Sequence, residues 1–391
     1  MKLKHILATA AGVLFFSGNA HAAGFAVEAR SLAMGNASVA TADIATAALA
    51  NPAMLAQQKA EDDFSLLLPS VGVFIDDSDG MIDLIEQFQL SSDACVASGD
   101  PLSQACADAN SAFLALPGKA LSPQVGAAVA LGIAGDTFSF ALSARSDVVF
   151  AGGVNASTVD TSITGLQDPT RNLLVLQGVQ TTEVGVSVAA NVELLGVKMS
   201  VGVTPKVVSV ESLVLSESAA QVDTGTGGLT DENAVTNLGS FTTLDAGVMM
   251  GLTENIKLGL VARNLISEQL NDNVSNPGVP VSIGFDTRLR AGIAYNGDIV
   301  TLGIDMDLTE NDPVIDTFGA QKTRMLAVGA ELDVFEIAQL RVGMQKNMAS
   351  GANSDALLTA GIGLSFGIHV DIAAIAGNDS FGAYLQTGLR F

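Results

Sequence analysis

Beyond its first 22 residues this chain contains one histidine, His369, two positions before Asp371. On a strand those two side chains share a face. They could form a proton-sensitive pair, but two solvated polar residues is the plainer expectation. Asp305 and Asp307 share a strand face in the same way, as paired carboxylates do; with 41 acidic residues in the chain, solvation of a polar face is again the simpler reading. A single histidine excludes a multi-histidine metal site and makes a Ser-His-Asp triad improbable. Cys95 and Cys106 are too far apart for a CxxC redox motif; in an exported chain they could pair across a short surface loop or stay free thiols, and the pair is favoured. Asp76-Asp77-Ser78-Asp79-Gly80 looks superficially like a calcium loop but lacks the Glu at the twelfth position. No phosphate-binding GxxxxGK[ST] loop is present. No cofactor, metal or nucleophile–base site is therefore expected, and the chain is not expected to be an enzyme.

The elements around these residues point to export and to a membrane. Lys2, Lys4 and His5 precede an apolar run from Ile6 to Phe16, followed by Ala20-His21-Ala22. That is the pattern of a secretory signal peptide over residues 1–22, and the apolar run is shorter than the roughly 20 residues a spanning helix needs. At the other end, Phe381, Ala383, Leu385, Thr387, Leu389 and Phe391 alternate with Gly382, Tyr384, Gln386, Gly388 and Arg390. One face suits lipid and the other a polar lumen, as in a barrel's closing strand that ends on an aromatic residue, here Phe391.

Between these ends the chain is hydrophobic on average, with mean hydropathy +0.41, yet no apolar run after the signal is long enough for a spanning helix. A membrane barrel gives this combination, because every second residue of its strands faces the lumen. Alternation marks strands beginning near Phe64 and Val125 and recurs to the C-terminus, for about 14 strands in total, an even count that suits a bacterial barrel. Their polar faces carry Gly, Ser, Thr, Asp, Lys and Arg: Lys257, Gly259 and Arg263 on one, Arg288, Arg290 and Gly292 on another. A soluble sandwich would tolerate such faces too; many in succession in an exported chain favour one closed sheet. Segments 154–172, 212–239 and 267–279 read as outward polar loops. From Asp76 to about Leu116 the sheet is interrupted: Met81, Leu84, Ile85 and Phe88 lie on one helical face, and a second helix is expected near Cys106–Leu116. The segment from Ala23 to about Ala60, rich in small residues and holding Asn51-Pro52-Ala53, does not alternate and reads as irregular backbone held inside something. Aromatic residues are sparse, at 5% with no Trp and two Tyr, so a girdle signal is weak. The net charge of −23 argues against nucleic acid as a direct partner, since phosphate binding needs clustered Lys and Arg.

Two stretches carry a family resemblance. Ala29-Arg30-Ser31-Leu32-Ala33-Met34-Gly35, leading to Asn51-Pro52-Ala53-Met54-Leu55, resembles the opening of FadL-like long-chain fatty acid transporters, in which the N-terminal segment folds into the barrel as a hatch. Phe64-Ser65-Leu66-Leu67-Leu68-Pro69, Asp79-Gly80-Met81-Ile82-Asp83 and Gly382-Ala383-Tyr384-Leu385-Gln386 resemble the TraF-type barrel family of plasmid-transfer operons. A thioredoxin-like family shares that name, but its CxxC and α/β pattern are absent here. The expected fold is thus an all-β transmembrane antiparallel barrel over residues 61–391, with a hatch-like segment over 23–60 and a helical insertion over about 76–116. The resemblance implies a Gram-negative outer-membrane protein whose partners are membrane lipid, the barrel-assembly machinery and a hydrophobic small molecule. Two functions follow: a channel or transporter for a hydrophobic or small amphipathic solute, or a non-enzymatic component of a conjugative or secretion apparatus.

Overall fold

The computed structural model describes residues 28–57, 64–77, 79–100, 102–119, 121–154, 173–194, 196–218, 235–272, 281–315, 322–335, 337–352 and 355–390. The expected signal peptide and Phe391 lie outside these residues. Strands β1 (Phe64–Asp76), β2 (Ser122–Ile133), β3 (Ser139–Val154), β4 (Leu173–Leu194), β5 (Val197–Ser218), β6 (Val235–Gly251) and β7 (Ile256–Arg263) form the first half of the wall. A separate hairpin, β8 (Glu268–Asp272) with β9 (Val281–Phe285), intervenes. The wall resumes with β10 (Arg288–Asn296), β11 (Val300–Asp307), β12 (Met325–Val334), β13 (Ala338–Asn347), β14 (Leu357–Ser365), β15 (Ile368–Gly377) and β16 (Ser380–Arg390). Each wall strand pairs antiparallel with the next, and β16 pairs with β1, so the fourteen strands close into one barrel.

Closure sorts side chains by parity. Along β5, Gly202, Thr204, Lys206, Val208 and Val210 are buried inward while Val203, Pro205, Val207 and Ser209 are exposed outward. The outer wall carries Leu142, Val186, Val207, Ile304, Val342 and Ile372, all exposed, as a surface made for lipid requires. No helix among the described residues is long and apolar enough to cross a membrane. The connections divide by length. The turns after β2, β4, β6, β10, β12 and β14 are short, whereas those after β1, β3, β5, β7, β11 and β13 are long and open at the other end, where only the β15–β16 turn is tight. In bacterial barrels the short turns face the periplasm. Five of the six exposed aromatics among the described residues collect there: Phe138, Phe140, Tyr295, Phe335 and Phe366 ring the short-turn end, while Phe381 lies at the other, so half a girdle exists despite the composition.

Two expected loops contain strand at their described ends; residues 219–234 and 273–280 lie outside the described residues. β5 continues to Ser218 and β6 starts at Val235, which extends the wall into the 212–239 segment. A spanning strand needs about 9–11 residues, and β4 and β5 have 22 each, so their surplus projects past the bilayer at the long-loop end. There both faces meet water or protein, and the apolar–polar contrast that marks a strand in sequence fades. The 267–279 segment likewise contains β8.

The interruption after β1 is a helical hairpin, α3 (Met81–Ser98) and α4 (Gln104–Leu114), numbered after the two short internal helices described below. Met81, Ile85 and Phe88 are buried against Phe113, Leu116, Leu121 and Val154, with the Phe88 and Phe113 rings 5.3 Å apart. Cys95 and Cys106 are joined as a disulfide. The acidic run beside it has structural partners: Asp77 caps α3, Asp76 accepts from Ser380 Oγ at 2.9 Å, and Asp79 lies 4.0 Å from Lys119 Nζ.

Candidate functional site in the barrel lumen

Residues 28–57 cross the lumen. They form α1 (Ala29–Ala33), α2 (Ile44–Ala50) and a 3-10 turn (Pro52–Ala56), and almost every side chain is buried. The small residues of this segment let it lie close to the wall. Asn51 closes the segment on itself: its Oδ1 accepts from Ala53 N at 3.1 Å and its Nδ2 donates to Val39 O at 3.0 Å. Asn as N-cap and Pro in the first turn suit the start of a helical turn. The wall gives way where the segment touches it. A Cβ on Gly247 would collide with Asn51 Oδ1, and one on Gly329 with the Met34 carbonyl. Glycine faces glycine across the strands at Gly202–Gly247, Gly259–Gly292 and Gly329–Gly343, all in contact with the segment.

Polar side chains of the wall then hold the segment's backbone. Asp305 Oδ2 accepts from Ser38 N at 2.7 Å and Val39 N at 2.8 Å. Arg290 donates to Asn36 O at 2.9 Å, and Arg263 donates to the carbonyls of Leu49 and Ala50. Thr359 Oγ1 accepts from Gly35 N at 2.9 Å and donates to Ala33 O at 3.0 Å. Arg30 reaches the other way. Its Nε and one terminal nitrogen each lie 3.0 Å from an oxygen of Glu331, while the other terminal nitrogen donates to Thr41 O at 2.6 Å.

Glu331 also binds Arg341, which binds Asp371, which lies 2.9 Å from His369 Nε2; His369 Nδ1 is 2.6 Å from Ser365 Oγ. A hydrogen-bonded chain thus runs from the short-turn rim to the internal segment. The expectation of solvation is overturned for both pairs: Asp305 and Asp371 are each 1% exposed and bound within the lumen. Their partners come from the internal segment and from strands distant in sequence, which alternation alone cannot supply. Ser365, His369 and Asp371 have the connectivity of a triad, but Arg341 also claims the aspartate.

Towards the long-loop end the lumen changes character within one inward step on three strands. Arg145 and Asp147 give way to Val149 and Ala151, Lys206 to Val208 and Val210, and Thr181 to Val179. These valines pack with Phe241, Leu270, Ile283, Phe285, Val314 and Ile315. The hairpin β8–β9 therefore packs on an apolar cluster above a charged layer, an arrangement that the loop reading of 267–279 misses.

A closed antiparallel barrel with a lipid-compatible wall and a peptide segment fixed across its lumen defines a plugged membrane β-barrel. The chain belongs to the family described as F plasmid transfer operon TraF protein, which matches residues 48–307. Among solved structures the barrel is similar to a Pseudomonas aeruginosa FadL homologue (TM-score 0.54, 14% identity, 93% of this chain and 98% of that one). It is similar also to the P. putida toluene transporter TodX (0.51, 15%, 93% and 98%) and the Ralstonia pickettii toluene transporter TbuX (0.50, 14%, 93% and 98%). At such identities the likeness is one of fold. No curated protein sequence matches significantly.

Proposed function

We propose that this protein is an outer-membrane channel or transporter for a hydrophobic or small amphipathic solute, with residues 28–57 as its hatch and Asn51, Pro52 and Ala53 as the hatch's fold point. The observation that carries this reading is the cluster of buried apolar side chains inside the barrel between the β8–β9 hairpin and the charged layer. An apolar solute gains by leaving water for such a lining. The hatch beneath it is held by polar contacts, which can be exchanged for water when it moves. The toluene transporters TodX and TbuX share the fold, which supports the same class of cargo. Its partners on this reading are outer-membrane lipid and the barrel-assembly machinery, and the disulfide hairpin is an extracellular elaboration. The test is uptake of radiolabelled toluene and of a labelled long-chain fatty acid by cells lacking other transporters of this fold. Uptake of either that rises with expression of the correctly inserted barrel is expected; no rise for both would sink the reading.

The family description favours a second reading, a structural component of a conjugative apparatus. Unchanged plasmid-transfer frequency in a deletion strain would count against it.

A further inference from the structure

The polar chain on the β12–β15 side of the lumen is built from shared acceptors. Glu331 Oε2 takes Arg30 Nε at 3.0 Å and Arg341 Nε at 2.5 Å. Asp371 Oδ1 takes Arg341 Nη1 and lies 3.0 Å from His369 Nε2. Each of these oxygens serves two donors. Charge-assisted bonds are roughly twice as strong as neutral ones, so a donor that gains charge on a shared oxygen weakens its rival. One end of the chain meets solvent. The His369 side chain is 24% exposed at the short-turn rim, while those of Asp371 and Arg341 are each 1% exposed. In bacterial barrels this rim faces the periplasm.

Histidine is the side chain that ordinarily changes charge between pH 5 and 8, and the surroundings of His369 accept either form. Beside Asp371 the neutral ring carries its proton on Nε2, so Nδ1, 2.6 Å from Ser365 Oγ, accepts from that hydroxyl. A protonated ring donates at both nitrogens, and the hydroxyl turns to accept. The charged groups around this chain are Asp371 on the same strand as His369, Arg341 on β13, Glu331 and Asp333 on β12, and Arg30 with Asp43 in the internal segment. From β16, Gln386 stands opposite Asp371, and Arg390 lies at the same rim, paired with Ser65 of β1.

We propose that this chain makes the seating of residues 28–57 proton-responsive from the periplasmic side. A protonated His369 tightens its hold on Asp371 Oδ1, Arg341 turns from that oxygen towards Glu331 Oε2, and Arg30 is displaced. Linkage makes the coupling reciprocal, so a segment released from Glu331 favours the protonated ring. The consequence for channel opening rests on the reading of this segment as a hatch.

The test uses the chain from residue 23 onward, refolded in detergent, in which His369 is the only histidine. Its imidazole proton resonances are followed against pH. In Arg30→Ala their crossover is expected to move to higher pH than in the parent. A crossover at the same or lower pH would overturn the proposal, whatever the barrel transports. Single-channel recording at about pH 5.5 and pH 8 brackets the range in which histidines titrate. The parent is expected to open about fivefold more often at the lower pH, the low end of couplings between linked sites. His369→Gln keeps an uncharged donor beside Asp371 and is expected to lose that dependence. More opening at the higher pH, or a His369→Gln barrel of normal heat-modifiable migration that keeps the parent's dependence, would overturn the proposal. A crossover that moves without any pH-dependent opening would support the relay and count against the hatch reading, which toluene uptake scores separately.

Discussion

Arg30 of the internal segment and Glu331 of β12 are joined by two parallel contacts of 3.0 Å, 301 residues apart in sequence. The pair links the internal segment to the Arg341–Asp371–His369 chain of the wall. Charge-assisted, two-point pairs of this kind fix orientation as well as adding stability.

Arg30→Ala removes one anchor but leaves Glu331 with Arg341, so its expected cost to the seating of the internal segment is about 2 kcal/mol. Glu331→Gln leaves two buried guanidinium groups short of a counter-charge, and a cost of about 3–5 kcal/mol follows. Both barrels are expected to migrate normally and to open more often in planar bilayers, Glu331→Gln more so. The double variant should show less than the sum of the two effects, because the residues share one network. Conductance equal to the parent in both single variants would show that the pair does not hold the hatch.

Gly247 faces Asn51 with no room for a side chain. Gly247→Val should therefore push out the Asn51 turn and break its bonds to Ala53 and Val39, costing about 1–3 kcal/mol. Gly251→Ala, at the exposed end of the same strand with its nearest neighbour 3.6 Å from the added carbon, serves as the control. Protease nicking of residues 28–57 in the folded barrel should rise in the first variant and not in the second. A parent-like digestion pattern for Gly247→Val would show that Asn51 does not rest on this wall.

The wall is legible in the sequence because closure imposes strict parity. Val125 to Ile133 and Val300 to Leu308 announce their outward faces residue by residue, and the alternating segments along the chain number about as many as the fourteen strands of the barrel. The glycines on the inward faces are visible too, but glycine alone does not say what approaches it. What stays hidden is pairing across long sequence distance: nothing near Asp305 announces Ser38, and nothing near Glu331 announces Arg30. The β8–β9 hairpin escapes for another reason. It packs on protein and not on lipid, so Leu270, Ile283 and Phe285 are buried without a long alternating pattern around them.

The Cys95–Cys106 bond closes the loop between α3 and α4. A closed loop of this size restricts the unfolded hairpin by about 3 kcal/mol. Replacing both cysteines by serine is expected to speed proteolysis within residues 99–103 at least tenfold, while the barrel's thermal transition stays where it was, since the hairpin lies outside the sheet. Loss of barrel folding in the variant would contradict this and give the bond a role in assembly.

Asp77 supplies a pH dependence confined to the same insertion. Its carboxylate accepts from Met81 N at 2.6 Å and from Ile82 N at 3.1 Å at the start of α3. Burial pushes its pKa up to about 6 from 3.8; the two backbone hydrogen bonds pull it down by less, and the charges of Asp379 and Asp83 add to the rise. A raised carboxyl pKa means that the folded form holds its proton where the unfolded form has lost it. The stabilisation is therefore complete below about pH 4, is lost as pH rises to about 6, and is flat above. Hydrogen exchange of the Met81 and Ile82 amides, corrected for intrinsic rates, should thus show more protection at pH 4.5 than at pH 7. Asp77→Asn keeps an acceptor for both amides and carries no charge, so it should make protection independent of pH across that interval. Protection that rises with pH in the parent would mean that the hydrogen bonds, and not burial, govern this carboxylate.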